Sequence, residues 1–186
     1  MISTETFFFR WRVRLGYPLA IVVLWFARPS AQSVVVGALV GAIGLWLRAY
    51  AAGYLHKQEF LTVTGPYAYT RNPLYLGSAI LATGVALATH SWISAAVLCA
   101  YFALSYSFVM RREARELHSR HGVAFEQYVS SVPLFFPRLT PAKLGGESSG
   151  GFSLAQYKKN HEWQAAVGFL LVLAALLVIW RLRLRC

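Results

Sequence analysis

Residues 65–77, GPYAYTRNPLYLG, gather groups suited to a ligand with an anionic end, a cationic centre and an aromatic end. Arg71 offers a planar guanidinium fork that matches a carboxylate or phosphate. Tyr67, Tyr69 and Tyr75 offer ring faces that stack on a base or receive a cation. Gly65 and Pro66 mark a turn. Asn72 and Pro73 mark a helix start, because Asn suits an N-cap and Pro the first helical position. A helix N-terminus adds unpaired N–H groups and a partial positive charge. Tyr and Arg also gather at membrane interfaces and Asn-Pro opens many helices, so residue types alone favour an anchoring role.

A second stretch, residues 111–137, reads RREARELHSRHGVAFEQYVSSVPLFFP. Leu117, Phe125, Tyr128 and Val132 recur at roughly helical spacing, which predicts an amphipathic helix lying back on the core. Glu113 stands where the preceding apolar run ends. That run returns from a two-residue turn, so Glu113 is expected near the depth of Arg71 and Asn72. A carboxylate there would bind an ammonium or ribose hydroxyls; the plainer alternative is a surface Glu paired with Arg112 or Arg115, worth little. Glu116 and Glu126 are read as surface residues. His56, Lys57, His118 and His121 are assigned no role, and Arg48 is expected to snorkel to an interface.

These groups need elements to position them, and composition says which. Of 186 residues, 57% are hydrophobic and 13% charged, about half the charge of an ordinary soluble domain. Mean hydropathy is +0.48. The apolar residues fall in five blocks, near 15–27, 31–52, 74–89, 92–110 and 163–180. A span needs about 20 apolar residues, or somewhat fewer with interfacial flanks. The expected fold is therefore all-α: a polytopic membrane protein of about five transmembrane helices. The first block is short unless it borrows residues 7–11, and Pro18 is a potential kink. The third and fourth are joined only by His90 and Ser91, which forces a tight helical hairpin. Gly77, Ser78, Ala79, Ala82, Gly84 and Ala86 permit close helix contact there.

The net charge of +11 sits beside apolar blocks, as anchors to anionic head groups do, so nucleic acid is not the expected partner. Two cysteines, Cys99 and Cys186, make no disulfide framework, and no Cys/His spacing suggests a metal. The N-terminus lacks a small-residue cleavage site and reads as a retained span. Arg10, Arg12 and Arg14 place it in the cytoplasm. Alternation then puts residues 53–72 and 111–162, with most remaining Lys and Arg, on the same side. The last helix carries Arg181, Arg183 and Arg185 to the far side, against that rule. The Gly/Ser-rich residues 143–151 read as a flexible linker. The organisation expected is a core at 1–142, a linker and cytoplasmic segment at 143–162, and a C-terminal apolar helix with a basic tail at 163–186.

Together the two stretches resemble the isoprenylcysteine carboxyl methyltransferase and phospholipid methyltransferase family, small membrane enzymes that use S-adenosylmethionine. The family's Gly-x-Tyr turn and Arg-His-Pro-x-Tyr-x-Gly run match GPYAYTRNPLYLG. Its later Glu-Glu-x-x-Leu, Phe-Gly-x-x-Tyr-x-x-Tyr and Val-Pro elements match EARELHSRHGVAFEQYVSSVP. The resemblance covers roughly residues 48–137. It implies that Glu59, Phe60, Leu61, Thr62, Tyr67, Asn72, Pro73, Leu74, Tyr75 and Glu113 bind the cofactor, to which the residue chemistry above adds Arg71. There are departures: Asn72 stands for His, Ala114 for the second Glu, and His121 and Phe125 for Phe and Tyr. Where the isoprenylcysteine enzymes carry a substrate-contacting Arg, this chain has Val109, with Arg111 and Arg112 nearby as substrate-binding candidates.

The resemblance implies methyl transfer to a lipophilic acceptor, an isoprenylcysteine-like carboxylate or a phospholipid-type head group, with membrane lipids as surroundings; the compact form points to a bacterial inner membrane. Arg71 and Glu113 are candidates for a catalytic role, and no general base stands out once His becomes Asn. That favours a carboxylate, which has no proton to lose, or another acceptor needing little acid–base help, over an amine. Two other readings are an NADPH-dependent reductase of the sterol-reductase type and a non-catalytic membrane scaffold. The acceptor's identity and the oligomeric state are not legible.

Overall fold

A computed structural model describes residues 4–56, 60–144 and 151–184, with side chains from residue 15 onward. Six α-helices follow in order: α1 (Thr4–Phe26), α2 (Ala31–Tyr54), α3 (Pro73–Thr89), α4 (Trp92–Ser131), α5 (Leu154–Lys159) and α6 (Trp163–Arg183). A 3-10 turn at Gly65–Ala68 precedes α3, and no strand occurs among the described residues. By length and apolar composition α2, α4 and α6 suffice to cross a membrane, while Leu15–Phe26 and α3 are shorter apolar helices. This is the expected polytopic all-α architecture, with Pro18 accommodated inside α1.

The centre is the packing of α2 on α3. A Cβ placed on Gly84 would lie 2.5 Å from Gly41 N and 2.7 Å from Gly37 O, and one on Gly44 would lie 2.7 Å from Gly77 O. The two backbones therefore touch along their length, and only glycine fits the seam. Gly77 and Gly84 of α3 thus serve its contact with α2. Closeness of this kind is the means by which helices associate where surrounding lipid is as apolar as the side chains.

At one end of the bundle the two short loops meet. Arg28 N donates to Thr89 O at 2.7 Å. Ser33 Oγ donates to Ala88 O at 3.1 Å, and Ser30 with Ser33 forms a reciprocal cap on α2. His90 closes α3 at φ 49° and Ser91 caps α4, which is the tight turn the two-residue connection requires. Leu176 of α6 joins Ala27, Val34 and Ala88 in a core cluster at this end.

At the other end, α4 continues past its apolar part and breaks at Gly122 (φ 47°, ψ −119°). The break turns the amphipathic segment back, burying Phe125, Tyr128 and Val132 against Leu61, Val63, Ala114 and Leu117. Of the linker, 145–150 lie outside the described residues. Beyond it the chain docks on the end of α2. Ser153 N donates to Gly53 O at 3.0 Å. Gln156 Nε2 donates to Leu55 O, and Asn160 Nδ2 to both Ala52 O and Leu55 O. A helix leaves its last carbonyls without partners; here side chains of the C-terminal segment supply them. Phe169 of α6 then lies against Gly41.

Gly84→Leu should lower unfolding stability by at least about 1–3 kcal/mol, the usual range for overpacking. Gly168→Ala, where an added Cβ meets nothing within 4 Å, should change it by less than about 0.5 kcal/mol. Thermal unfolding in detergent compares the two.

Candidate functional site

The loop carrying GPYAYTRNP is held by backbone pairing to the segment that follows the amphipathic helix. Arg71 N donates to Pro133 O at 3.0 Å, Arg138 N to Tyr69 O at 2.9 Å and Ala142 N to Ala68 O at 2.9 Å. Thr70 Oγ1 donates to Phe135 O at 2.9 Å, and Tyr128 Oη to Tyr67 O at 2.8 Å. This pairing explains why the two sequence stretches lie together. Asn72 occupies the N-cap of α3, but its side chain does not cap; Nδ2 donates instead to Leu134 O at 2.9 Å. Its carbonyl still starts the helix, accepting from Tyr75 N and Leu76 N.

Above the loop lies a cavity of about 600 Å³, within the usual range for a small-molecule site. Tyr67, Arg71, Asn72, Pro73, Leu74, Tyr75 and Glu113 all line it. The return of α4 thus brings Glu113 to α3, where Tyr75 Oη donates to Glu113 Oε1 at 2.6 Å. Tyr75 packs edge-on against Tyr106, their ring centres 5.0 Å apart.

Two polar groups in this wall are buried without a hydrogen-bond partner: Tyr67 Oη and Arg71 Nε. Such atoms are rare and ask for an explanation, such as a ligand. Burial pushes the Tyr67 phenol well above its ordinary pKa, with the neighbouring Tyr128 and Glu113 adding to the effect. Burial likewise raises Tyr128, against a smaller opposing pull from the Arg71 charge. The same desolvation lowers Arg71. Tyr67 is therefore a neutral donor over the whole physiological range.

Other predicted residues sit elsewhere. Phe60 stacks on His56 with ring centres 4.5 Å apart. Leu61 packs under the amphipathic helix, and the buried Thr62 accepts from His56 N. None of these three lines the cavity, and Glu59 lies outside the described residues. Arg111 turns to its own helix, with Nε on Ser107 O at 3.1 Å and its guanidinium over Phe108; neither it nor Arg112 lines the cavity. Among the described residues no three His, Cys, Asp or Glu side chains gather to hold a metal ion.

The sequence reading missed the opposite wall. Arg48 does not snorkel outward: its Nη2 donates to Glu162 Oε2 at 2.6 Å, and its Nη1 donates to Ser78 Oγ. Asn160, His161, Glu162, Gln164 and Ala165 bring the start of α6 into the lining. Only the proximity of a lone Glu to an apolar run could have signalled this.

The donor set suits S-adenosylmethionine. Arg71 has an unpartnered Nε–H that suits a carboxylate, the Glu113 carboxylate in the lining suits an ammonium or a ribose hydroxyl, and Tyr75 and Tyr106 present aromatic surface. The phospholipid methyltransferase family model matches residues 11–122. Over 159 residues the chain is 31% identical to the cobalt-zinc-cadmium resistance protein CzcN of Cupriavidus metallidurans, covering 81% of this chain and 71% of that one. Over 139 residues it is 32% identical to the nickel-cobalt-cadmium resistance protein NccN of Alcaligenes xylosoxydans xylosoxydans, covering 70% and 64%. No solved structure matches the chain.

Tyr67→Phe removes a hydroxyl that has no partner in the ligand-free protein, so stability there should hold or rise by up to about 1–3 kcal/mol. The folded-state pKa of Tyr67 and Tyr128 lies above the unfolded one. Their contribution is therefore complete below about pH 10 and is lost as pH climbs past it. Melting curves between neutral and strongly alkaline pH should show wild type losing more stability than Tyr67→Phe.

Proposed function

The chain belongs to the phospholipid methyltransferase family, and from that premise we propose that it is an S-adenosylmethionine-dependent methyltransferase acting on a lipophilic acceptor in a bacterial inner membrane. One observation carries the proposal. Seven of the motif residues, Tyr67, Arg71, Asn72, Pro73, Leu74, Tyr75 and Glu113, line a single cavity whose wall includes the buried, unpartnered donors Tyr67 Oη and Arg71 Nε.

The cofactor would supply a methyl group on a sulfonium, already activated for in-line displacement. The chain's part is to bind, orient and exclude water. Arg71 takes the carboxylate of the amino-acid portion, with Tyr67 Oη as a second donor. Glu113, fixed by Tyr75, takes the ammonium or the ribose hydroxyls. Tyr75 and Tyr106 wall the reacting centre and keep its dielectric low, which strengthens these charge contacts.

The acceptor comes from the bilayer. α6 packs on α2 and α3, whereas α4 packs on α1 and α3. Both α4 and α6 line the cavity, so the gap between them is the route for an amphiphile. The cofactor enters from the loop end, cytoplasmic by the Lys and Arg distribution. A carboxylate acceptor fits best, because it needs no base. Its methyl ester would also carry one negative charge fewer at the membrane surface. That would weaken attraction for divalent cations, a sense in which lipid methylation bears on relatives named for metal resistance.

S-adenosylhomocysteine at about 100 times its dissociation constant should stabilise the detergent-purified protein by about 2.7 kcal/mol. Glu113→Ala and Arg71→Ala should abolish the shift, and NADPH should give none. Stabilisation by NADPH alone would replace this reading with a reductase. No shift with either would favour a non-catalytic protein.

A further inference from the structure

We propose that Arg48 and Glu162 form the head-group subsite for the acceptor, and that the acceptor carries an oxyanion beside its lipid tail. Both residues line the same cavity as Glu113 and Tyr75, and neither belongs to the motifs read from the sequence. Arg48 comes from the last turns of α2 and Glu162 immediately precedes α6, 114 positions along the chain.

The pair is more than a structural clasp. Both side chains are largely buried, at 18% and 11% exposure. Removing two charges from water is expensive, and well-packed apolar residues usually hold helices together as well or better. Apolar helices rarely retain such groups except along a functional path. Docking of the C-terminal segment on α2 is already secured by Ser153, Gln156 and Asn160, so the ion pair is not required for it. Arg48 is also incompletely used. Nη2 meets Glu162 and Nη1 meets Ser78, but Nε is buried with no hydrogen-bond partner.

A guanidinium whose Nη groups are engaged while its buried Nε lacks a partner keeps one donor of its planar fork in reserve for an oxyanion. Glu162 keeps Arg48 at the wall while the site is empty. When the anion arrives, Arg48 turns its free donor to it, and Glu162 is left for a hydroxyl or ammonium elsewhere on the same head. The adjoining residues from α4, Tyr101, Ser105 and Val109, line the side on which a tail would lie. Carboxylate and phosphate share this chemistry.

The subsite's purpose rests on the methyltransferase reading, but its occupancy does not, so binding is measured without cofactor. The probes are a prenylated cysteine with a free carboxylate, a short-chain phosphatidic acid, and the matching uncharged methyl ester and diacylglycerol. Each is titrated by thermal shift and by quenching of intrinsic tryptophan fluorescence. The decisive variant is the exchange Arg48→Glu with Glu162→Arg. It restores an ion pair but moves the fork from α2 to the residue preceding α6.

Wild type should bind one or both anions at least tenfold more tightly than their uncharged counterparts. The exchange variant should keep the wild-type melting temperature and its response to S-adenosylhomocysteine, yet lose that preference. Which anion wins separates a carboxylate from a phosphate head group. An exchange variant that keeps the preference would make the pair structural and overturn the proposal, as would a wild type that binds charged and uncharged probes alike. If the exchange variant fails to fold, Arg48→Lys decides: it keeps the charge and loses the fork, and an unchanged preference would equally overturn the assignment. Loss of the S-adenosylhomocysteine response in wild type would instead count against the methyltransferase reading, leaving the anion result to stand alone.

Discussion

The contact of backbone on backbone between α2 and α3 is the constraint on which the rest of this molecule depends. Gly37, Gly41 and Gly44 face Gly77 and Gly84 with no room for a side chain. That closeness fixes the start of α3, and with it Asn72, Pro73 and Tyr75, relative to Arg48 near the end of α2. Helices held a side chain's width further apart would put Ser78 out of reach of Arg48. The cavity's width is thus set by residues that contribute nothing to its chemistry.

The second constraint is the clasp between the GPYAYTRNP loop and residues 133–142. It consists mainly of main-chain hydrogen bonds, reinforced by Thr70, Asn72 and Tyr128. Main-chain bonding fixes a loop firmly while leaving its outward side chains free for a ligand. This accounts for Tyr67 being buried while its hydroxyl lacks a partner. The Tyr128 hydroxyl that anchors the loop points at the carbonyl of Tyr67, not at its phenol.

Much of this arrangement was legible in the sequence. The apolar blocks gave the helices because lipid requires long apolar runs. The period of Leu117, Phe125, Tyr128 and Val132 gave the amphipathic return because one face had to be covered. Arg71, Tyr75 and Glu113 could be brought together because a two-residue hairpin leaves α4 no freedom of register. What escaped was non-local. Arg48 and Glu162 carry no shared motif, and their pairing follows from the docking of a distant segment on the carbonyl end of α2. Asn72 looked like a helix cap by type, but the neighbouring Leu134 carbonyl competed for its side chain. Leu61 and Thr62 were placed at the cofactor by resemblance, yet the packing under the amphipathic helix and the approach of His56 engage them first.

The C-terminal segment completes the cap on α2 and supplies one wall of the cavity, yet it follows the part of the chain that the family model matches. The cavity is therefore assembled from two parts of the chain's length. The loop, α3 and Glu113 fall within the matched region, while α5 and the start of α6 fall outside it. A substitution at Asn160, Glu162 or Gln164 would reshape the cavity without touching the loop, α3 or Glu113, so the two parts of its lining are open to separate change.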